Sequence, residues 1–331
     1  MMMTQVDMDN NHRHFGRGSE MNIGMPPRGV YAGIDVGGTK TAAVLVDERG
    51  DLVGRAQRRT RPGPEGVVTS ITDAIVDARR HGGVTETLRA VGIGVPGAVD
   101  PVRGVVGRAV NVGLDDFGLA EAVSRAMGVP VAVDNDVTLA ALGVASARDD
   151  SISSSLAFVN VGTGFGVGVV IGGAPLRGSR GAAGEIGHLP FDPRGRRCGC
   201  GLLGCIELSA SGGALERAAG SAGVPRLFVD AAAGDSSSAA AISEFCAALA
   251  LGLRIVVQAY DVDTVALGGG VFASAPAFMP QVMAIIAAEA RSSAFLRSLR
   301  LADRLVVVDP AVPYATLGAA HWGMRLARPV A

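Results

Sequence analysis

The chain has 331 residues, which at roughly 150 residues per domain suggests two domains. Its net charge of −1 provides no basic excess for nucleic acid or an anionic membrane, and its 4% aromatic content leaves few rings to stack on single-stranded bases. A hydrophobic content of 48% supports a sizeable core and argues against a disordered chain.

The N-terminal part of the chain contains a predicted strand–turn–strand unit. Residues 1–28 have no hydrophobic signal region, so we expect a mobile tail and a cytoplasmic protein. No uninterrupted run of about 18 apolar residues is present, so no membrane span is predicted. Strands are predicted over residues 30–36 and 41–47, and the glycine turn between them contains Lys40, the only lysine in the protein.

Helices and strands alternate after this unit. We expect the arginines of residues 55–61 to form a solvated surface, followed by a loop rich in Pro, Gly and Arg. The apolar residues of 67–80 recur every three or four positions, which predicts a helix. Further predictions are a buried strand at 90–97, a helix at 119–127, a strand at 129–136 and a helical segment at 137–147.

The second half of the chain repeats the beginning. Residues 156–173 align without gaps with residues 31–48 at a constant offset of 125, so that Asn160 matches Asp35. We interpret this as a duplicated half-domain, although any two glycine hairpins share some features. Later predictions are helices at 207–219, 240–259 and 278–291, a glycine-ended strand between the last two, a strand at 304–310 and a helix at 316–327.

Three glycine turns, near residues 37, 162 and 268, each follow an apolar strand. Glycine lets backbone N–H groups approach phosphate oxygens and accommodates positive φ. The turns match neither the Walker A pattern nor GxGxxG, and structural glycines in tight hairpins are the alternative. Three such turns in two related halves indicate a polyphosphate bound between lobes.

The segment VDND places carboxylates at the end of an apolar strand, where ligands bind in α/β folds. Asp136 is a candidate general base for a hydroxyl group. The alternative is that Asn135 or Asp136 caps the following helix. These residues alone leave the two interpretations about even.

Three of the four cysteines lie within eight residues of one another. His188, Cys198, Cys200 and Cys205 offer one imidazole and three thiolates, which is typical of a closed, structural zinc site. Reactive or incidental cysteines are the alternative, and Cys246 is interpreted as a core residue.

Two glutamates flank this cysteine loop. If a metal holds the loop rigid, Glu185 and Glu207 can face a shared pocket. Each carboxylate accepts hydrogen bonds from adjacent hydroxyl groups, so the pair suits a polyol. The alternative for each residue is a solvated surface position.

The motifs DVGGTK, GIGVPGAVD, VDND, VNVGTGFGVG, GEIGH, CGCGLLGC and ALGGG occur in the order found in the ROK family, which the chain resembles over residues 30–325. That family contains bacterial sugar kinases, including glucokinases, and sugar-responsive repressors. The resemblance implies an α/β fold of the actin-like ATPase type with two duplicated mixed-sheet lobes, and a homodimer or homotetramer. It implies a small lobe of residues 29–134 plus 313–331 and a large lobe of 135–312 carrying the zinc loop.

The resemblance also implies roles for matching residues. Asp136 matches the catalytic base. The positions that match sugar-binding residues are Gly97, Asn111, Asn135, Glu185, His188 and Glu207, with His188 also a zinc ligand. The positions that match the ATP and Mg²⁺ site are Asp35, Gly37, Gly38, Thr39, Gly162, Thr163, Gly164, Gly268, Gly269 and Gly270, with Lys40 beside them. Leu202 replaces a polar residue that family members often carry, without removing a zinc ligand.

The expected reaction is transfer of a phosphoryl group from ATP to the 6-hydroxyl of a hexose. Glucose is the leading substrate, and an N-acetylhexosamine, mannose, fructose or allose is the alternative. A repressor is disfavoured because residues 1–29 show no helical apolar pattern and are too few for a helix-turn-helix module. A kinase driven by inorganic polyphosphate is less favoured, since such relatives generally lack the cysteine cluster.

Overall fold

A computed structural model describes residues 29–147, 155–274 and 276–327, so the expected tail of residues 1–28 lies outside the described residues. The strands are β1 (Gly29–Val36), β2 (Lys40–Val46), β3 (Leu52–Arg59), β4 (Thr87–Val95), β5 (Ala98–Asp100), β6 (Val105–Ala109), β7 (Leu114–Phe117), β8 (Val131–Asn135), β9 (Ser155–Val161), β10 (Phe165–Ile171), β11 (Ala174–Pro175), β12 (Thr264–Gly268) and β13 (Leu305–Val307). The helices are α1 (Pro64–Gly82), α2 (Leu119–Met127), α3 (Asp136–Ala147), α4 (Gly212–Ala219), α5 (Val224–Ala232), α6 (Ser236–Tyr260), α7 (Gly270–Ser274), α8 (Met279–Ser292), α9 (Ala294–Ser298), α10 (Leu301–Arg304) and α11 (Tyr314–Ala327).

The two halves of the chain build sheets with the same strand pattern. The first sheet has the order β3-β2-β1-β4-β8 and the second has the order β11-β10-β9-β12-β13. In both, the first three strands pair antiparallel with one another, and the third, fourth and fifth strands pair in parallel. The shared order confirms the duplication predicted from the repeat. A small antiparallel sheet, β5-β6-β7, was not predicted.

The two repeated hairpins differ in their register by one residue. In the first, Val36 pairs with Thr41, whereas in the second Val161 pairs with Phe165. The first turn therefore has one additional residue, Lys40, between its paired ends. The side chain of Lys40 is exposed and that of Phe165 is buried, so the two turns present different groups despite their matched sequence positions.

Helices α3 and α11 join the two sheets. Each follows the last strand of its own sheet and packs on the other sheet: α3 packs on β9 and β10, and α11 packs on β1 and β4. The helices also contact each other closely. A methyl group added at Gly318 would lie 1.8 Å from the carbonyl oxygen of Leu139, and one added at Gly143 would lie 1.9 Å from that of Tyr314. This contact between the two halves has no space for a side chain.

Separate apolar cores support the two sheets. The core of the first sheet includes Ile34, Ile71 and Ile93. The core of the second includes Phe245 and Leu249 of α6. By length and composition α6 is apolar enough to cross a membrane, but 56% of its most apolar window is buried inside the protein. This burial identifies α6 as a core helix of the second half.

Several predicted boundaries were wrong. Residues 52–59, for which no strand was predicted, form the edge strand β3. Its arginines Arg55, Arg58 and Arg59 are exposed, as expected, and Arg58 forms an ion pair with Asp77 of α1. The helix predicted from residue 207 begins at Gly212, because Ser211 caps it by accepting the N–H of Ala214 at 3.1 Å. The last predicted strand, 304–310, is limited to Leu305–Val307.

We predict that Gly318→Ala lowers the free energy of unfolding by about 2–3 kcal/mol, because the added methyl group must separate α3 from α11. This loss outweighs the gain of about 1 kcal/mol that alanine brings to a helix interior. Urea unfolding measures the difference. In the matched control Gly107→Ala, the nearest atom to the new methyl group is 3.5 Å away, and we expect no loss of stability. Equal stability of the two variants would contradict the close contact.

Candidate active site

A cleft of about 340 Å³ opens where strands from both sheets end. Its walls combine residues near the carboxyl ends of β1, β8, β9 and β12, the edge at which α/β proteins bind ligands. The polar and glycine residues that line the cleft are Asp35, Asp136, Asn160, Gly268, Gly269, Gly270 and Asp309. The structure thus brings the third glycine turn together with the two candidate aspartates.

Asp35 and Asp136 are electrostatically coupled in this cleft. Burial and the charge of Asp136 raise the pKa of Asp35 to about 6, while the nearby Lys40 acts to lower it. Burial also raises the pKa of Asp136. The backbone N–H groups of Val137 and Asp136 oppose this rise, and the charge of Glu185 adds to it. Carboxyl groups with raised pKa values in a cleft are suited to accept a proton or to bind a cation.

Asn135, rather than Asp136, is the side chain that caps α3. Its Oδ1 accepts the N–H groups of Val137 at 3.0 Å and Thr138 at 3.1 Å. Its Nδ2 donates to the carbonyl oxygen of Gly97 at 3.3 Å. The carboxylate of Asp136, in the first turn of α3, lines the cleft. The structure therefore assigns the cap to Asn135, and the role of Asp136 as a general base stays a prediction.

Thr60 holds the first glycine turn in place, a role that the sequence analysis missed. Its hydroxyl donates to the carbonyl oxygen of Gly37 at 2.7 Å, and its N–H donates to that of Thr39 at 3.0 Å. The hydroxyl of Thr41 lies 2.9 Å from that of Thr60. Thr60 therefore forms hydrogen bonds with two carbonyl groups of the turn. Asn111 lies against the same turn, with its carbonyl oxygen 3.2 Å from the position of a Cβ on Gly38.

The second glycine turn is held by the start of α4. The N–H groups of Gly212 and Gly213 donate to the carbonyl oxygens of Gly162 at 2.7 Å and Thr163 at 3.3 Å. Glu207 Oε2 accepts the N–H of Phe165 at 3.1 Å. One carboxylate oxygen of Glu207 therefore contacts this turn, and a side chain at Gly164 would collide with it at 2.4 Å.

The ligand atoms of His188, Cys198, Cys200 and Cys205 all lie within 4.8 Å of one another. Burial and the neighbouring thiols raise the pKa of Cys205 to about 12, whereas the backbone N–H of Leu202 is the main group that lowers the pKa of Cys200. One imidazole nitrogen and three sulfurs are a donor set that Zn²⁺ accepts tetrahedrally. The residues present therefore fit a zinc ion.

His188 connects the cysteine cluster to the carboxylates. Its Nδ1 lies 3.8 Å from Cys198 Sγ, and its Nε2 lies 3.7 Å from Glu185 Oε2. The side chain of Glu185 is 62% exposed, and its charge reaches Asp136. Glu185 therefore contacts the cluster through His188 and acts electrostatically on Asp136. Its exposed carboxylate is open to a ligand.

Three polar residues in the cleft were not singled out as site residues from the sequence. Asn160, Asp309 and Tyr314 line it beside the glycine turns. Asn160 was detectable only as the repeat partner of Asp35. Asp309 follows a short edge strand, and Tyr314 begins α11. No motif at either position indicated a ligand.

Comparisons with known proteins identify related sequences and structures. A model of the ROK family matches residues 31–304. A glucokinase from Streptomyces coelicolor is 39% identical over 189 residues, which cover 57% of this chain and 58% of that protein. An N-acetylmannosamine kinase from Yersinia pseudotuberculosis is 33% identical over 243 residues, which cover 72% of this chain and 82% of that protein.

The solved structure of a ROK family glucokinase from Streptomyces griseus in complex with glucose and AMPPNP is also similar. It has a TM-score of 0.73 and 28% identity, with 89% of this chain and 99% of that chain covered. The two-lobed actin-like ATPase fold is thereby confirmed. The chain matches little more than half of the length of the Streptomyces coelicolor glucokinase.

We predict that Asp35→Asn raises the melting temperature in metal-free buffer at pH 7.5 but not at pH 4. The pKa of Asp35 is about 6 in the folded protein, above the ordinary value of 3.8. Its stabilising contribution is therefore complete below about pH 4 and is lost as the pH rises through 6. The gain at pH 7.5 is at most about 3 kcal/mol.

The control for this experiment is Asp309→Asn, which removes an exposed carboxylate from the same cleft. We expect it to change the melting temperature less than Asp35→Asn at pH 7.5. Calorimetry at both pH values makes the comparison. An unchanged or lower melting temperature for Asp35→Asn at pH 7.5 would show that burial of Asp35 does not oppose its ionisation.

Proposed function

The chain belongs to the ROK family, and from this premise we propose that it transfers the γ-phosphoryl group of ATP to a hydroxyl of a hexose. One observation carries the proposal. Asp136, a partly buried carboxyl group with a raised pKa, lines a cleft beside a glycine turn. The charge of Glu185 also acts on Asp136, and Glu185 in turn lies beside His188. A proton acceptor thus lies between a phosphate-type site and a polyol-type site.

We propose the 6-hydroxyl of glucose as the leading acceptor. The similar Streptomyces griseus protein is a glucokinase with glucose and AMPPNP bound, and the similar Streptomyces coelicolor protein is also a glucokinase. The second candidate is an N-acetylhexosamine, which the match to an N-acetylmannosamine kinase over 72% of this chain supports. Mannose, fructose and allose are further hexoses to test.

In the proposed reaction, ionised Asp136 accepts the proton of the sugar hydroxyl. The hydroxyl oxygen then forms a bond to the γ-phosphorus, and the bond from that phosphorus to the bridging oxygen of ADP breaks. Burial suits Asp136 to this role because a base with a raised pKa holds the transferred proton more strongly. Asn135, Glu185 and Nε2 of His188 orient the remaining hydroxyls, with contributions from Gly97, Asn111 and Glu207 as the resemblance implies.

The nucleotide phosphates are proposed to bind along the glycine turns. The backbone N–H groups of these turns donate to phosphate oxygens, while Thr60 and the start of α4 hold carbonyl groups of the first two turns. Asp35 would hold Mg²⁺, which when bound neutralises phosphate charge. Lys40 adds a compact positive charge close to Asp35.

A zinc ion in the His188–cysteine cluster is proposed to have a structural role. When bound, it would cross-link the loop of residues 188–205. Coordination through Nδ1 would fix the imidazole of His188, leaving Nε2 directed towards Glu185. The metal and the three cysteines would thus orient two of the sugar-binding side chains, His188 and Glu185, without themselves touching the sugar.

Lobe boundaries and assembly are proposals that rest on the family relationship. We propose a small lobe of residues 29–134 with 313–331 and a large lobe of residues 135–312. Within the described residues, α11 packs on the first sheet, which agrees with this division. A homodimer or homotetramer is the proposed assembly.

The proposed activity predicts ADP release when ATP, Mg²⁺ and a hexose are present together. A coupled assay with glucose, N-acetylmannosamine, N-acetylglucosamine, mannose, fructose and allose identifies the acceptor, and ³¹P NMR locates the phosphate on the product. Failure with every sugar would contradict the proposed function. Asp136→Asn is expected to lower kcat about 1,000-fold while sugar binding persists.

Lys40→Ala is compared with Asp136→Asn as a variant that should have a milder effect on the kinetics. It removes an exposed charge beside the first glycine turn, and we expect a roughly five-fold higher KM for ATP. Its kcat remains close to that of the parent. Equal losses of kcat in the two variants would contradict the role of Asp136 as the base.

The zinc proposal predicts one zinc ion per chain by elemental analysis. Cys205→Ser is expected to lose the metal and to lower the melting temperature, because burying a hydroxyl in place of the thiolate removes a ligand. Cys246→Ala is the control, since Cys246 lies in the core away from the cluster and that variant keeps its zinc. A metal-free parent protein purified without chelators would contradict the proposal.

A further inference from the structure

A buried ion pair lies two residues before Asp136. Asp134, at the end of β8, is almost fully buried, and Arg177 from the segment after β11 binds it. Both Nε, at 2.8 Å, and Nη2 of Arg177 donate to Oδ2 of Asp134. Oδ1 accepts the N–H of Asn135 at 2.8 Å. The carboxylate therefore joins the second half of the chain to the peptide that leads into Asp136.

The guanidinium of Arg177 also packs against α11. The guanidinium of Arg177 lies 4.3 Å from the ring centre of Trp322, the only tryptophan in the chain. A second guanidinium, that of Arg325, lies 5.5 Å from the same ring, and its Nη2 donates to the carbonyl oxygen of Gly173 at 2.6 Å. Strand β8, the β11 segment and α11 thus meet at Arg177.

Through Arg177, the second half of the chain acts on the peptide between Asp134 and Asn135 in the first half. Asn135 is held at its N–H by Asp134 and at its side chain by the first turn of α3 and by Gly97. The next residue is Asp136. Rotation of the second sheet relative to the first would move Arg177 and so displace the carboxylate that orients this peptide. Small displacements of a reacting group reduce turnover strongly.

We propose that Arg177 is a positioning residue that sets the direction of Asp136 through Asp134 and Asn135, with Trp322 as its support. The proposal rests on the proposed phosphoryl transfer. In this role Arg177 contacts neither sugar nor nucleotide. Its loss therefore affects kcat more than either KM.

The test compares Arg177→Gln, Arg177→Lys and Arg325→Gln in the full chain. Arg177→Gln removes the charge that faces Asp134, and we expect kcat to fall at least about 30-fold with both KM values within about three-fold of the parent. Arg177→Lys keeps the charge but offers a compact ammonium in place of two donors, so kcat recovers at least about three-fold over Arg177→Gln. Arg325→Gln also loses a contact with Trp322, but not one with Asp134, and keeps the parental kcat.

Hydrogen exchange supplies a readout that does not require activity. We expect the amides of residues 135–138 to exchange at least about five-fold faster in Arg177→Gln than in Arg325→Gln, because the Asp134 anchor is lost only in the former. If the parent phosphorylates no hexose, the proposed function fails while this exchange measurement still decides the role of Arg177. Trp322 fluorescence and thermal unfolding verify that each variant is folded.

Arg177→Gln leaves a buried carboxylate without its cation and can prevent folding. The double variant Asp134→Asn with Arg177→Met removes both charges and keeps a long side chain on Trp322. We expect it to fold, with kcat still reduced at least about ten-fold. A folded Arg177→Gln with kcat within three-fold of the parent, equal losses in Arg325→Gln, unchanged exchange, or parental kcat in the double variant would each overturn the proposal.

Discussion

The close contact between α3 and α11 is the constraint on which the rest of the structure depends. Gly143 and Gly318 let the two helix backbones approach to a distance that no side chain permits. Each helix extends from one sheet onto the other, so this contact sets how the two sheets face each other. Because Asp136 lies in the first turn of α3, the same contact also places it in the cleft.

Hydrogen bonds within the protein hold much of the candidate site. Thr60 binds two carbonyls of the first glycine turn, the start of α4 binds two of the second, and Asn135 caps α3. Such bonds are made before any substrate arrives, so the turns do not have to be ordered on binding. The carboxylates of Asp35 and Asp136, in contrast, are destabilised by burial in their charged form. Burial and the charge of Asp136 raise the pKa of Asp35, so a bound cation or proton would stabilise this carboxylate.

The sequence predicted the framework of the site better than its internal contacts. The hairpin repeat at residues 31–48 and 156–173 anticipated two sheets of the same order, because apolar strands and glycine turns are local signals. Strand β3 escaped prediction because its exposed face carries arginines and as an edge strand it is only partly buried. The cap on α3 was ambiguous between neighbouring polar residues, because only the backbone geometry determines which side chain reaches the helix N–H groups.

The sequence by itself determined the two related halves, the glycine turns, the cysteine cluster and membership of the ROK family, because each depends on residue type and short spacing. Only the tertiary structure decided which groups meet across long separations in the chain. It placed Thr60 on the first turn, Glu207 on the second and Arg177 on Asp134. It also shifted the register of one hairpin, which exposes Lys40 where its repeat partner, Phe165, is buried. These outcomes follow from packing between elements, in which a carbonyl or a carboxylate binds whichever donor the fold brings to it.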